Sequence, residues 1–384
     1  MTKFRKFAKK VLPRLLAIFM AAVLGTGLYF VSNFVFYTPE TGKDDEPEFE
    51  LQKDPDSLDD EKLTIKASDK IFNFLVMGHD RAASLTDVIM LINYNTEIQR
   101  ITIMQLPRDT YIEVDDYFYH KVNGLYNYSC MQAKEEGSKN PEADGREKMV
   151  KYLEKHLAMK IHFSAVMDLD GFGNIVDAIG GVEMYVPQDM YYVDSAQGLY
   201  INLKEGNQHL DGKAAEQFVR YRYGYATGDI GRGDAQKIFI SAFLDKLLSS
   251  VKDARAIAAL AKNLIEYVDT DITIPDIAFF GKNFIGIGNK SGAVELSNVK
   301  LMTMPGKATM YGGASYYVMN KEYMSSIIND YYNVYNTSVM WSFDINEVFV
   351  TEENSVLRDI YTSPRDSIPL RIYNAGKIEQ EGLN

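Results

Sequence analysis

The sequence has one cysteine, Cys130, among 384 residues, which excludes an internal disulfide. That fits either a reducing compartment or an export pathway that does without disulfides. Basic residues are outnumbered by acidic ones, 41 to 53, which gives a formal charge of −12. The chain therefore lacks the overall basic character of proteins that coat nucleic acid, and an anionic ligand has to be met by a local cluster of Arg and Lys.

Several signatures of catalysis are also missing. The phosphate-binding loops GxxxxGK[ST] and GxGxxG after a strand do not occur. The five histidines have no spacing typical of metal ligands, and no serine or cysteine stands in a nucleophile-elbow sequence. The sequence gives no sign of these nucleotide sites or of a nucleophilic side chain.

The N-terminus joins a basic flank, residues 1–14, to an uncharged and mostly apolar segment, residues 15–37. At 1.5 Å per residue such a segment crosses a hydrocarbon core of roughly 30 Å. The basic flank predicts a cytoplasmic N-terminus, so we expect a single-pass anchor in the cell membrane with the rest of the chain outside the cytoplasm. The alternative is a cleaved secretory signal, whose apolar region is usually only about 7–15 residues long.

The composition changes sharply after the apolar segment. Residues 38–69 are crowded with Asp and Glu, contain three prolines and show almost no apolar periodicity, which predicts a flexible acidic stalk. A globular domain is expected over residues 70–338. Residues 339–384 form a C-terminal extension to which we assign no role.

Strands and helices alternate along the globular part, which predicts an α/β fold. Short apolar runs bounded by turn residues predict strands over 71–77, 88–93, 98–106, 163–167, 299–304 and 316–319. Helical spacing predicts helices over 145–160, 170–180, 211–219, 232–250, 254–267, 275–286 and 321–332. Helices on both faces of a mixed sheet are the economical arrangement.

Polar residues cluster where the first three strands end. Asp80 follows the first strand and Asp87 precedes the second, so that the two carboxylates flank a short loop. Loops at the carboxyl ends of strands commonly hold ligands, and two carboxylates can share one hard divalent cation. Turn formation or capping is the alternative role for both residues.

A second cluster is rich in arginine. Arg220 and Arg222 stand at a predicted helix end, and Arg232 and Gln236 lie four residues apart near the start of the next helix. The first two can act jointly only if their helix stops by about Val219. Guanidinium groups and a helix N-terminus both suit phosphate, which predicts a pyrophosphate clamp. Surface arginines paired with nearby carboxylates are the alternative.

These clusters fall within segments that resemble the LytR-CpsA-Psr family of cell-envelope proteins, from about residue 71 to residue 332. The similar segments are FNFLVMGHD, TDVIMLINYN, ITIMQLPRDTYI, KVNGLYNY, DLDGFGNIVDAIGGVEMYVP, INLKEGNQHLDGKAAEQFVRYRYG, GDIGRGDAQKIFISAFLDKL and MPGKATMYGGASYYVM. The resemblance implies an α/β/α sandwich with an apolar cavity for a polyprenyl chain. It also implies a magnesium-dependent phosphotransferase that moves a glycan such as teichoic acid or capsule from undecaprenyl pyrophosphate to peptidoglycan, in an envelope of the Gram-positive type.

The resemblance also assigns roles to single residues. Asp80 and Asp87 are expected to serve the metal. Phosphate contacts are expected from Arg108, Lys121, Arg220, Arg222, Arg232 and Gln236, and Asp229 is expected to order its loop or assist proton removal. The family commonly has an arginine where this chain has Leu85, and Arg81 is expected to replace it. A non-catalytic scaffold that binds lipid-linked glycan and a pyrophosphatase are the alternative functions.

Overall fold

A computed structural model describes residues 37–39, 67–335 and 338, apart from positions 82, 196–198, 223 and 226–228, together with the strand at 372–374. For residues 229–234, 254 and 372–374 it describes only the backbone. The predicted anchor, except for Tyr37, lies outside the described residues, as do nearly all of the predicted stalk and most of the C-terminal extension. Within the described ranges no helix combines the length and the apolar character needed to cross a bilayer.

The described chain contains short strands interleaved with helices. The strands are β1 (Ile71–Asp80), β2 (Leu85–Asn95), β3 (Arg100–Leu106), β4 (Phe163–Met167), β5 (Val182–Val186), β6 (Met190–Asp194), β7 (Leu199–Leu203), β8 (Gly206–Leu210), β9 (Asp269–Thr270), β10 (Val299–Thr303), β11 (Gly306–Tyr311), β12 (Ala314–Met319) and β13 (Ile372–Asn374). The helices are α1 (Val122–Glu135), α2 (Pro141–Leu157), α3 (Leu169–Ala178), α4 (Gly212–Arg220), α5 (Asp229–Ser250), α6 (Ala254–Tyr267), α7 (Ile274–Phe284) and α8 (Lys321–Ile327). A 3-10 turn at Leu296–Asn298 precedes β10, and a π-helical stretch at Ile328–Tyr332 continues α8.

Seven of these strands form one mixed sheet in the order β13-β10-β3-β2-β1-β4-β9. β1, β2 and β3 form an antiparallel meander, whereas β4 runs parallel to β1 and β10 runs parallel to β3. Residues 372–374 of the C-terminal extension pair with β10 at one edge. The α/β class with a central mixed sheet, predicted from the sequence, is confirmed.

Different helices cover the two faces of the sheet. Leu75, Leu91 and Met104 share one core with residues of α1, α2 and α8. On the opposite face, Ile103 and Leu301 pack with residues of α5 and α7. Successive residues of a strand point to opposite faces, so each strand contributes to both layers. The result is the expected α/β/α sandwich.

A smaller lobe is built from two antiparallel strand pairs, β5 with β8 and β6 with β7. Val182, Ile201 and Phe218 lie in its core, which also includes Phe239 of α5. None of these four strands is predicted from the sequence. Each is five residues long and includes exposed positions, as in β5, where buried and exposed residues alternate, so its apolar signal is weak.

Capping side chains mark several helix starts. Asp168 and Asp211 accept hydrogen bonds from backbone N–H groups in the first turns of α3 and α4. Thr273 and Asp276 cap α7 reciprocally. α5 begins at Asp229 rather than at the predicted Arg232. The helix predicted over 321–332 keeps α-helical geometry only to Ile327 before it widens into the π-helical stretch.

Candidate functional site

A β-bulge places Asp87 on the face of the sheet opposite α1. The pairing of β1 with β2 shifts register after Gly78, and Asp87 is the residue left without a partner. The bulge breaks the strict alternation of the strand. Thr86 turns toward α1, where its hydroxyl donates to the Asn123 carbonyl oxygen at 2.9 Å, while Asp87 and Val88 both line a cavity on the other face.

This cavity has a volume of about 360 Å³ and lies between the sheet, α3 and α5. The sheet contributes Val76, Val88, Met90, Ile92 and Ile103, and the two helices contribute Phe172, Ile175, Phe239, Ile240, Phe243 and Leu244. Tyr192 and Leu199 of the smaller lobe complete the wall. The volume falls within the range of roughly 300–1,000 Å³ usual for ligand clefts, and the lining suits a hydrocarbon chain.

Polar and charged side chains also line the cavity, and we call this polar part of its lining the mouth. The residues are His79, Asp80, Asp87, Gln105, Asp168, Arg220, Arg222 and Gln236. Five of them, Asp80, Asp87, Arg220, Arg222 and Gln236, are predicted site residues. An apolar cavity with a charged mouth suits an amphiphilic ligand that has an anionic head.

Arg220 and Arg222 both reach the mouth because α4 ends between them. Tyr221 has an extended backbone, with φ −65° and ψ 129°, so the helix stops one residue later than predicted. The Arg220 guanidinium lies 2.8 Å from the Glu216 carboxylate one turn earlier (Nη1 to Oε1). Arg222 follows on the extended segment, with Nη2 3.5 Å from Oδ2 of Asp87. Both arginines have carboxylate partners and line the cavity, and the Arg222 side chain is also 43% exposed.

An alternating chain of charges links the mouth to the start of α1. Nη1 of Arg108 donates to Oδ1 of Asp87 at 3.0 Å, so this carboxylate lies between Arg108 and Arg222. Nε of Arg108 is 4.0 Å from Oδ2 of Asp109, whose Oδ1 is 3.0 Å from Nζ of Lys121. This chain of three cations and two carboxylates carries one net positive charge. The predicted phosphate contacts Arg108 and Lys121 therefore connect to the site, although neither lines the cavity.

Gln236 is a buried member of the mouth. Its Oε1 accepts a hydrogen bond of 2.8 Å from Nε2 of Gln105 on β3, and its Nε2 donates to the Val219 carbonyl oxygen at 3.4 Å. The side chain thus ties α5 to the sheet and to the end of α4. This bridging contact supports the shape of the mouth, in addition to any contact with phosphate.

Another part of the mouth is formed by the end of β1 and the start of α3, where Asp80 and Asp168 lie. Arg81 is 80% exposed, and its Nε lies 3.0 Å from Oδ2 of Asp168. Asp80 accepts a hydrogen bond from the Ala83 backbone at 3.1 Å, which is the turn-forming role considered as the alternative. Asp168 itself was not singled out from the sequence. Its position directly after β4, at the carboxyl end of a parallel strand, is the sequence feature that indicates a site residue.

His79 also lines the mouth, and its surroundings perturb its pKa. Burial first, and the charge of Arg81 second, lower the pKa of His79 below 6.5. Its ring lies edge-on to Tyr126 at 5.2 Å, and Nε2 has no hydrogen-bond partner among the described residues. His79 therefore adds a neutral polar group to the mouth at neutral pH.

Asp229 and Arg232 lie in the first turn of α5, where only the backbone is described. The helix start follows α4 along the chain, and the free N–H groups of such a turn suit an anion. The roles predicted for these two side chains stay predictions.

The carboxylates at the mouth can be compared with the needs of magnesium. No group of three or more His, Cys, Asp or Glu side chains in the described part of the chain could hold a metal ion. Asp80 and Asp87 nevertheless line the same mouth. Magnesium commonly takes one or two carboxylates and completes its shell with substrate phosphates and water. Two carboxylates at one mouth meet this minimum, and magnesium binding by Asp80 and Asp87 stays a prediction.

Comparison with known proteins gives relatives of this chain. The polyisoprenyl-teichoic acid–peptidoglycan teichoic acid transferase TagU of Oceanobacillus iheyensis is 26% identical over 279 residues, which cover 71% of this chain and 79% of the relative. The transferase of the same name from Bacillus cereus is 28% identical over 285 residues, which cover 72% of this chain and 84% of the relative.

The fold also has solved counterparts. Protein gbs0355 of Streptococcus agalactiae matches with a TM-score of 0.56 at 18% identity, covering 74% of this chain and 95% of that protein. A likeness at this identity shows the fold alone. Residues 34–332, well over half of the chain, match the model of the LytR_cpsA_psr family, and this span includes every residue of the mouth. The chain belongs to the LytR-CpsA-Psr family.

Proposed function

We propose that this protein is a phosphotransferase that moves a glycan polymer from a polyprenyl pyrophosphate carrier to peptidoglycan. The observation that carries the proposal is the apolar cavity whose mouth holds Arg220 and Arg222. A lipid-linked pyrophosphate needs both parts, a dry channel for the hydrocarbon and guanidinium groups for the phosphates. The relatives from Oceanobacillus iheyensis and Bacillus cereus are named as teichoic acid transferases, which supports the same class of reaction.

In the bound donor, the prenyl chain lies against Met90, Ile92 and Ile240, and the pyrophosphate remains at the mouth. Burial of apolar chain contributes about 0.8 kcal/mol per CH₂ group, so the cavity supplies affinity that does not depend on the attached glycan. The planar fork of arginine can bind two phosphate oxygens at once, which orients the pyrophosphate as well as neutralising it. Arg222 is already positioned for this by Asp87.

In the proposed reaction, a hydroxyl group of the acceptor attacks the phosphorus nearest the transferred glycan. A new P–O bond forms, the bond from that phosphorus to the bridging oxygen breaks, and polyprenyl phosphate leaves. The hydroxyl proton passes to a base, for which Asp80, Asp87, Asp109 and Asp229 are the candidates. Transition states of this kind are loose, so catalysis consists mainly of positioning and charge neutralisation. Arg220 and Arg222 neutralise the charge that develops on the leaving phosphate.

Magnesium belongs to the same proposal, with Asp80 and Asp87 as its protein ligands. A bound Mg²⁺ would add charge neutralisation at the pyrophosphate. The requirement is tested by removing divalent cations with a chelator. Activity restored by Mg²⁺, with a higher Mg²⁺ concentration needed for half-restoration in Asp80→Asn than in wild type, is the expected outcome.

We also propose that residues 15–37 anchor the chain in the cell membrane and leave the globular domain outside the cytoplasm. Tyr37, the last residue of the predicted anchor, donates a hydrogen bond of 2.6 Å to Asp276 on α7. It packs with Phe72 near the start of β1. Protease added to intact, wall-stripped cells should therefore digest the globular domain. Protection of the domain until the membrane is opened would contradict this topology.

The reaction is tested with the full-length chain in detergent, given a lipid-pyrophosphate-linked glycan, peptidoglycan oligomers and Mg²⁺. Wild type is compared with Arg220→Ala, Asp87→Ala and a control, Arg255→Ala, which alters an exposed arginine of α6. Glycan on the acceptor, lost in the first two variants and kept in the control, supports the transferase. Release of phosphate-bearing glycan without an acceptor product indicates a pyrophosphatase. Donor binding without turnover indicates a scaffold.

A further inference from the structure

Two adjacent aromatic residues between β3 and α1 stand in solvent. Phe118 is 85% exposed and Tyr119 is 71% exposed, and their rings meet edge-on with centroids 5.9 Å apart. Tyr117, directly before them, is buried. We call residues 117–119 the aromatic tip. Large apolar side chains left exposed side by side commonly mark a surface that binds something.

The structure holds the aromatic tip in a defined conformation. Asp116 and His120, on either side of it, have positive φ angles of 61° and 48°, which non-glycine residues seldom adopt. The Tyr117 hydroxyl donates to the Lys121 carbonyl oxygen at 2.6 Å, and its ring packs on that of Tyr128 with centroids 4.8 Å apart. Such backbone strain persists only where surrounding contacts impose it. The two exposed rings therefore stand on a backbone that its own contacts hold in place.

The aromatic tip is directly connected to the charged site. Lys121, to which Tyr117 is bonded, belongs to the alternating charge chain that includes Arg108 and Asp87. The backbone N–H of Asn123 donates to the Arg108 carbonyl oxygen at 3.1 Å. β3 runs parallel to β1, so the loop after β3 lies at the same end of the sheet as the loop after β1. The loop that carries the rings thus begins at the same end of the sheet as the mouth, and its buried Tyr117 packs against Tyr128 of α1.

The opposite end of the sheet carries the membrane-proximal part of the chain in the proposed topology. Tyr37 packs with Phe72 near the start of β1, a strand length away from the loop that holds Asp80. Glu113, Asp115 and Asp116 flank the aromatic tip. Anionic lipid surfaces attract basic segments, not acidic ones. Position and charge therefore both argue against a membrane as the partner of the tip.

We propose that the aromatic tip is the docking platform for the acceptor, a β-1,4-linked amino-sugar strand of the peptidoglycan type. The apolar faces of its sugar rings would lie on Phe118 and Tyr119, which brings a hydroxyl group of the same strand to the pyrophosphate at the mouth. The identity of the ligand rests on the proposed function. The existence of a binding surface at this tip does not, because it is inferred from the exposure of Phe118 and Tyr119.

The kinetic test uses the full-length double variant Phe118→Ala/Tyr119→Ala. Loss of both rings should raise the KM for peptidoglycan oligomers about tenfold, which corresponds to about 1.4 kcal/mol. The KM for the lipid donor and kcat at saturating acceptor should stay within about twofold, because neither ring lines the cavity. Ile98→Ala, which truncates an exposed side chain at the far turn between β2 and β3, is the matched control. Phe118→Tyr/Tyr119→Phe keeps both rings and should keep the wild-type KM.

Binding of amino-sugar oligomers can also be measured in the absence of glycan transfer. The Phe118→Trp variant is reconstituted in proteoliposomes, and the fluorescence of the introduced tryptophan reports its surroundings. The wild-type spectrum is subtracted from that of the variant. A spectral change on addition of amino-sugar oligomers, with no quenching by brominated lipid, supports the inference. Quenching by the lipid without a response to the oligomers makes the tip a membrane contact and overturns it.

The two proposals fail separately. An oligomer response from Phe118→Trp in a protein that never transfers glycan would refute the proposed function and keep the inference. A wild type that transfers glycan, with an unchanged acceptor KM in the double alanine variant, would refute the inference alone.

Discussion

The two faces of the central sheet come from alternate residues of the same strands, yet one is filled and the other encloses a cavity beside its packed core. On β2, Ile89 and Leu91 are fully buried against α1 and α2, whereas Met90 and Ile92 line the cavity. The same strand therefore stabilises the fold with one set of side chains and forms a binding surface with the other. Equivalent substitutions on the two faces should have opposite consequences for stability and activity.

The largest effect on activity is expected at Asp87, which lies at the mouth of the cavity. Asp87→Asn keeps the size of the side chain but removes the charge that lies between Arg108 and Arg222. With the arginines no longer oriented, kcat/KM for glycan transfer should fall by about 10²–10³. The measurement is initial-rate kinetics with the lipid-linked donor.

The unfolding free energy of Asp87→Asn should change far less than its activity. Glu183→Gln, which neutralises an exposed carboxylate paired with His209 on the smaller lobe, serves as the control and should leave kcat/KM unchanged. Wild-type kinetics in Asp87→Asn would show that the ion pairs of Asp87 with Arg108 and Arg222 do not contribute to catalysis.

The next effect compares neighbouring residues of β2. Leu91→Phe adds volume to a filled core and should lower the free energy of unfolding by about 1–3 kcal/mol. Met90→Phe adds a rigid ring on the cavity side, so it should leave stability nearly unchanged and instead raise the KM for the lipid donor. Denaturant unfolding and donor titration separate the two outcomes. Equal destabilisation by both variants would show that the cavity face is as tightly filled as the other.

A smaller effect concerns two partly buried histidines away from the mouth, His156 and His162. Burial lowers the pKa of His156 to about 4 and that of His162 to about 3, from a usual value of 6.5. The unfolded chain binds their protons first as pH falls, so stability is present above about pH 6.5 and is lost toward pH 4. Each histidine contributes a slope on the order of 1 kcal/mol per pH unit within that window.

Unfolding curves between pH 7 and pH 4 measure this slope. His162→Gln should flatten it, since glutamine cannot take up the proton. A slope in His162→Gln equal to that of wild type would contradict the assignment to His162.

Much of the fold is predictable where apolar patterning is strong. The strand at 163–167 and the helix at 254–267 have the predicted bounds, because an uninterrupted apolar run or a regular helical stripe needs little tertiary context. The strands of the smaller lobe are missed because many of their side chains are exposed. The bulge at Asp87 is also invisible in the sequence, since it arises from how β2 pairs with β1.

The sequence predicts which residues belong to the candidate site better than it predicts how they contact one another. Residue type and position predict five site residues that line the cavity: Asp80, Asp87, Arg220, Arg222 and Gln236. Their contacts depend on tertiary structure, as the bond of Gln236 to Gln105 shows. Asp168 is missed because a carboxylate that caps a helix looks ordinary until the fold brings it to the mouth.

The central claim is that the cavity beside β2 holds the prenyl chain of the donor, and photolabelling tests it most directly. A polyprenyl pyrophosphate with a diazirine in the prenyl chain is bound to the full-length protein and activated, and the labelled peptides are identified by mass spectrometry. The account predicts label on Met90, Ile92 or the 239–244 segment of α5, reduced by unlabelled polyprenyl pyrophosphate and weakened in Met90→Phe. Label confined to α1 and α2, or label that unlabelled lipid does not reduce, would contradict it.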